Sequence, residues 1–215
     1  MKRNSRRVFL KTSVIGGVIS SATLAWGDVL KKLKSTPPEI EGPFYPVTPQ
    51  KDKDFDLTQI DGHTEVAAGQ VILIEGSVVD TTGTPVEDAS VELWQANAAG
   101  RYSHPHDQNT APLDPGFQGW AIVPSGKEGK FRFKTVMPGS YPASRNWSRP
   151  PHIHFKVSKL GYVELITQMY FPGNPLNDKD LLLQRKSEHE QELMIASKAI
   201  NNSERFSFRI VLLKA

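Results

Sequence analysis

His152-Ile153-His154-Phe155-Lys156-Val157 alternates, residue by residue, between a basic side chain and a large apolar one. In an extended strand successive side chains point to opposite faces. Ile153, Phe155 and Val157 then form one apolar face, and His152 and His154 stand together on the other. Pro150 and Pro151 stiffen the approach and exclude a helix there. The same alternation recurs in Phe131-Arg132-Phe133 and in Phe206-Ser207-Phe208-Arg209-Ile210. Val71 to Val79, Ser90 to Gln95 and Leu165 to Phe171 are further β-rich runs, set off by turn signals such as Thr81-Thr82-Gly83-Thr84-Pro85. Short strands punctuated by Gly and Pro predict a mainly β, single-domain β-sandwich with long loops.

Outward from these runs the pattern changes twice. Lys31 to Asp54 reads as an extended N-terminal arm, because Pro37, Pro38, Pro43, Pro46 and Pro49 bar a helix. Ser187-Glu188-His189-Glu190 has capping-box spacing and predicts a helix running to about Ile200, one of one or two short helices. The chain divides into a leader, residues 1–34, and one sandwich domain, residues 35–215, long enough to bury a core of its own.

The leader accounts for the basic balance. Residues 1–34 carry eight Lys or Arg side chains against Asp28 alone, so the remainder of a chain with net charge +3 is at −4. A mildly acidic body without a basic stripe excludes a phosphate-tracking, nucleic-acid-binding role. Ser5-Arg6-Arg7-Val8-Phe9-Leu10-Lys11 is a twin-arginine export signature, followed by a weakly apolar run, Thr12 to Trp26. That run is short and polar for a membrane span. With no clean A-x-A site, cleavage and retention as an anchor both stay open. The expected destination is the periplasm.

The chain has no cysteine, so disulfides, thiolate zinc sites and iron–sulfur clusters are excluded. Any metal must sit on His, Tyr or carboxylate groups. His152 and His154, two residues apart on one strand face, either bind one metal ion or are two polar residues on a half-exposed strand. Tyr102 follows Gly100-Arg101, and Tyr141 sits in the proline-flanked turn Pro138-Gly139-Ser140-Tyr141-Pro142. Taken singly, either tyrosine reads as an ordinary amphipathic residue.

Read as text, Val91-Glu92-Leu93-Trp94-Gln95-Ala96-Asn97-Ala98-Ala99-Gly100-Arg101-Tyr102 resembles the signature of the intradiol ring-cleaving dioxygenases. Glu41-Gly42-Pro43-Phe44-Tyr45-Pro46, Arg149-Pro150-Pro151-His152-Ile153-His154-Phe155 and Ile166-Thr167-Gln168-Met169-Tyr170-Phe171 agree with it. The likeness spans about residues 41 to 213 and is strongest to the iron-bearing subunits of protocatechuate 3,4-dioxygenases. It implies one non-haem Fe(III) per chain, held by Tyr102, Tyr141, His152 and His154. It implies further that Tyr141 is the tyrosinate that leaves the metal when substrate binds. Arg149 matches an arginine that stabilises negative charge on the substrate ring, and Gln168 a glutamine that orients that site. The implied reaction opens a catechol-type ring with O₂ to a cis,cis-muconate-type diacid. Implied partners are a catecholic substrate and O₂, other copies of the chain in a homo-oligomer, and an iron-free partner subunit in some relatives. No nucleic acid and no stable membrane span beyond an uncleaved leader are expected.

The likeness thins between Tyr141 and His152, where the loop is about two residues short and Ala143 and Ser144 stand in place of a bulky aromatic. This leaves protocatechuate, catechol, hydroxyquinol and substituted catechols all open as substrates. His104-Pro105-His106 is a second His-x-His, but its proline and polar surroundings read as a loop, and His63 and His189 read as solvated. Tyr45 and Trp120 are either pocket-lining or packing residues. Two rival readings are a non-catalytic aromatic- or sugar-binding sandwich, and an Fe(II) oxygenase built on two His and a carboxylate. No acidic residue is well placed beside His152 and His154 for the second.

Overall fold

A computed structural model describes residues 32–48 and 50–215 of the protein. The twin-arginine stretch and the apolar run after it lie outside the described residues. Ten strands and one helix follow the arm. They are β1 (Val71–Asp80), β2 (Ser90–Trp94), β3 (Trp120–Pro124), β4 (Lys130–Val136), β5 (Tyr141–Ser144), β6 (Trp147–Arg149), β7 (His152–Ser158), β8 (Leu165–Tyr170), α1 (Glu188–Met194), β9 (Ser197–Ala199) and β10 (Asn202–Leu212).

The strands form two four-stranded sheets, ordered β4-β1-β10-β9 and β3-β2-β7-β8, with β5 and β6 as a separate hairpin. All pairings are antiparallel except β1 with β10. Alternation decides which faces meet. Ile72, Ile74 and Val78 of β1, Phe131 and Phe133 of β4, and Phe208 and Ile210 of β10 turn one way. Val91 and Leu93 of β2, Ile153, Phe155 and Val157 of β7, and Met169 of β8 turn to meet them. Phe155 bridges the sheets, its ring 5.5 Å from Phe208 and 6.2 Å from Phe133. Burying such side chains contributes roughly 1.5–3 kcal/mol each. The predicted β-sandwich is the fold.

The opposite face of the β3-β2-β7-β8 sheet is buried too, and this positions the site. Register places Trp94 beside His154, His154 beside Gln168 and His152 beside Tyr170. The extended arm crosses this sheet. Glu39 N donates to Ile166 O at 2.8 Å, Thr167 Oγ1 to Pro37 O at 2.8 Å, and Tyr45 Oη to Glu92 Oε1 at 2.8 Å. Among the described residues no helix is long and apolar enough to cross a membrane.

One local expectation is corrected, and one alternative left open by the sequence is decided. The helix begins as predicted, with Ser187 and Glu190 exchanging both bonds of a capping box, but it ends at Met194 rather than near Ile200. Ala196 N bonds Tyr170 O and Ser197–Ala199 pairs with β10, so sheet pairing overrides the helix propensity of that stretch. The strand carrying His152 and His154 is not half-exposed, because the arm and loops cover its second face.

Candidate metal centre

Three structural devices bring the predicted residues together. The first is β7, whose alternation sets His152 and His154 side by side, ring centroids 5.0 Å apart. Trp94 of β2 stacks on His154 at 4.8 Å with an interplanar angle of 15°. The second is the loop after β2. Asn97 organises it by accepting from Ala99 N and Arg101 N with its side-chain oxygen, at 2.9 and 3.0 Å. Asp107 Oδ2 then fixes Tyr102 by accepting its backbone N–H at 2.7 Å. Gly139 N bonds Asn97 O at 2.9 Å, which brings the segment before Tyr141 against this loop. Any Cβ on Gly100 or Gly139 would collide with backbone of the facing segment, so glycine is what permits the approach. The third device is the β5–β6 hairpin, whose register sets Tyr141 opposite Arg149.

The four aromatic rings close on one another. Tyr102 to Tyr141 is 5.6 Å between centroids, Tyr141 to His152 is 5.7 Å, His152 to His154 is 5.0 Å and His154 to Tyr102 is 6.2 Å. Relative exposure is 3% for Tyr102, 9% for Tyr141, 2% for His152 and 3% for His154. His152 Nδ1 lies 2.7 Å from Pro150 O. A carbonyl only accepts, so this nitrogen carries the proton and Nε2 keeps its lone pair. His152 Nε2, His154 Nδ1 and Tyr102 Oη are buried with no hydrogen-bond partner among the described residues.

Burial dominates the electrostatics. It pushes Tyr102 well above the ordinary phenol range, with neighbouring Tyr141 adding to the effect, and it raises Tyr141 against the opposing pull of Arg149. Burial first and Arg149 second hold His152 well below the ordinary imidazole value and bring His154 down to about 3. Four neutral donors therefore meet in a dry place with three polar atoms unsatisfied, an arrangement that is costly unless something fills it. A metal cation fits. It accepts the imidazole lone pairs and supplies the positive charge that two phenolates require. Among the described residues no group of three His, Asp or Glu side chains gathers at a metal-binding spacing; the polar groups that converge here are phenols and imidazoles.

Arg149 lies beside this cluster, buried and fully engaged along one edge. Its Nε donates to Asp180 Oδ2 at 2.7 Å, and its Nη2 to Gln168 Oε1 at 2.6 Å and to Tyr170 Oη at 3.0 Å. Gln168 Nε2 in turn donates to Ile40 O of the arm at 3.1 Å. Asp180, Tyr170, Trp94 and Trp147 are members of the site that sequence reasoning missed. Tyr170 was detectable, since it shares the β8 face with Gln168. Asp180 lies in irregular chain, where no periodicity marks a side chain's direction.

Tyr141, Arg149 and His154 open onto a cavity of about 480 Å³, walled in part by Phe44, Pro142, Ala143, Trp147 and Leu182. Trp147 supplies an aromatic wall where Ala143 does not. Tyr45 and Trp120 do not line this cavity; both donate to the buried Glu92 carboxylate and pack the arm onto the sheet. His104 and His106 lie in a loop, as expected, with His106 at the cavity wall. A larger groove of about 1110 Å³ touches none of the four clustered rings.

A family profile described as Dioxygenase matches residues 40–214. The chain is 41% identical over 167 residues to the protocatechuate 3,4-dioxygenase beta chain of Burkholderia cepacia, covering 74% of this chain and 71% of that one. It is 36% identical over 154 residues to catechol 1,2-dioxygenase 1 of Acinetobacter lwoffii, covering 66% of this chain and 48% of that one. Among solved structures, the dioxygenase domain of a dioxygenase–carbohydrate-binding fusion from Streptomyces sp. SirexAA-E superposes with a TM-score of 0.64 at 26% identity. The match covers 85% of this chain and all of that domain.

Proposed function

We propose, for a chain that belongs to the intradiol ring-cleaving dioxygenase family, that this site opens a catechol-type ring between its two hydroxyl-bearing carbons. Both atoms of O₂ enter the product, a cis,cis-muconate-type diacid. The convergence of Tyr102, Tyr141, His152 and His154, ring centroids 5.0 to 6.2 Å apart, carries this reading. These four side chains would hold one ferric ion. When bound, that ion supplies Lewis acidity and a charge suited to phenolate donors, under which a catechol loses its protons and its ring becomes reactive towards O₂.

The chain's own residues do the rest. Tyr141 lines the cavity while Tyr102 does not, so Tyr141 Oη is the phenol oxygen positioned to take a proton from an entering catechol. Arg149, fixed and largely dry, stabilises negative charge on the bound ring. One such preorganised group is worth about 2.7–4 kcal/mol of barrier. Phe44, Pro142, Trp147 and Leu182 keep water from the reacting ring.

The substrate is a catechol with room for a substituent. A benzene-sized ring fits a cavity of roughly 150 Å³, well below the volume found here. Among the described residues lining the cavity Arg149 is the one Arg or Lys, and in this reading it meets the charge of the ring, so no second such cation stands there for a protocatechuate carboxylate. Turnover of a panel of catechols, with products identified by mass, tests this assignment. Faster cleavage of protocatechuate than of uncharged catechols by the isolated chain would refute it.

Colour decides the main reading. Iron-loaded protein should be red-brown from tyrosinate-to-iron charge transfer, and the band should shift when a catechol is added without oxygen. A colourless protein holding one iron per chain rules the assignment out. The twin-arginine stretch supports export of the folded protein to the periplasm, and the beta-chain relative supports an oligomer. Cell fractionation and light scattering test these two points, against a cytoplasmic protein and a monomer respectively.

A further inference from the structure

Asp180 is the least exposed charged group near the cavity, at 0% exposure, and both of its oxygens are committed. Oδ2 accepts from Arg149 Nε at 2.7 Å. Oδ1 accepts from Leu182 N at 3.2 Å and Leu183 N at 2.9 Å, with Tyr170 Oη at 3.3 Å. One carboxylate thus ties the guanidinium to the turn that carries Leu182, a wall of the same cavity.

A guanidinium presents its donors in a fixed planar fork. Asp180 and Gln168 take the edge formed by Nε and Nη2, whereas Nη1 donates to no group among the described residues. The plane cannot roll without breaking the Nε bond. We propose that Asp180 is a positioning residue for ring opening, acting through Arg149: it sets the roll of the guanidinium so that Nη1 faces the bound catechol. This role rests on the ring-cleaving reading above, in which Arg149 meets the charge of the substrate.

A double-mutant cycle with a structural readout tests it. Asp180→Asn keeps the shape and removes the charge. Its kcat for catechol should fall about 10- to 100-fold, the range for losing a partner that orients a site residue, with KM and iron content little changed. In an Arg149→Ala background the same substitution should cost nothing further in kcat. In iron-free protein, ¹⁵N NMR should show the Arg149 Nε–H protected from solvent exchange, and Asp180→Asn should abolish that protection. An equal fold-loss in both backgrounds overturns the proposal, because a merely structural residue would act without Arg149. If Asp180→Asn does not fold, the wild-type spectrum decides: a fast-exchanging Nε–H overturns the role, and a protected one sustains it. An inactive wild type sinks the ring-opening reading and this role with it, whereas a loss that persists without Arg149 in an active enzyme sinks the role alone.

Discussion

Tyr102 and Tyr141 carry the same phenol, but only Tyr141 reaches the cavity. The difference assigns them different work. In the proposed reading Tyr102 would be an anchored metal donor, its backbone tied to Asp107 and its oxygen left without a partner among the described residues. Tyr141 sits where an entering molecule meets it. Replacing Tyr141 by Phe should leave most of the iron bound, weaken the charge-transfer band and lower kcat by about 10²- to 10⁴-fold, the usual yield of a positioned proton acceptor. His154→Ala removes a nitrogen donor and the ring stacked on Trp94. Metal analysis of that variant should find the iron gone. Wild-type iron and turnover in either variant would mean that the ligand set is misassigned.

At the scale of single elements, turns and caps define where the strands stop. β1 ends at Asp80, whose Oδ1 accepts from Thr82 Oγ1 at 2.6 Å, Thr82 N at 2.8 Å and Thr84 N at 3.0 Å. Its other oxygen pairs with Lys214 at 2.9 Å, which ties the turn to the chain's last residues. The Thr82 hydroxyl first, and Lys214 next, hold this carboxyl well below the ordinary range. The folded protein therefore binds this proton more weakly than the unfolded chain. Stability from Asp80 is present above the unfolded value of about 3.9 and is lost as pH falls below it. Urea unfolding should show Asp80→Asn weaker than wild type at pH 7, with the gap smaller, though not closed, at about pH 3. A gap of the same size at both pH values would show that the charge contributes nothing.

Across the whole molecule, two sheets share one aromatic core, and the centre lies on the far side of one of them. Phe155 and His154 are neighbours on β7 with opposite duties, one joining the sheets and the other facing the cavity. Phe155→Ala should cost about 3–5 kcal/mol, because a fully buried ring leaves a cavity that the sheets cannot close. Chemical denaturation measures it, and a loss under 1 kcal/mol would mean that Phe155 does not bridge the sheets.

The sequence by itself determined the sandwich and the candidate ligands. Period-two alternation is a local property that fixes which side chains share a strand face, and it placed His152 beside His154. Tyr102 and Tyr141 were legible through their motifs rather than any periodicity, since both follow loops whose course no repeat describes. Only the tertiary structure decided that the two loops meet across Gly100 and Gly139, that Ile195 and Ala196 pair with Tyr170 instead of extending the helix, and that Asp180 reaches Arg149 from 31 residues away. Each of these depends on contacts between segments distant in the chain, and such contacts leave no mark on the spacing of residues within either segment.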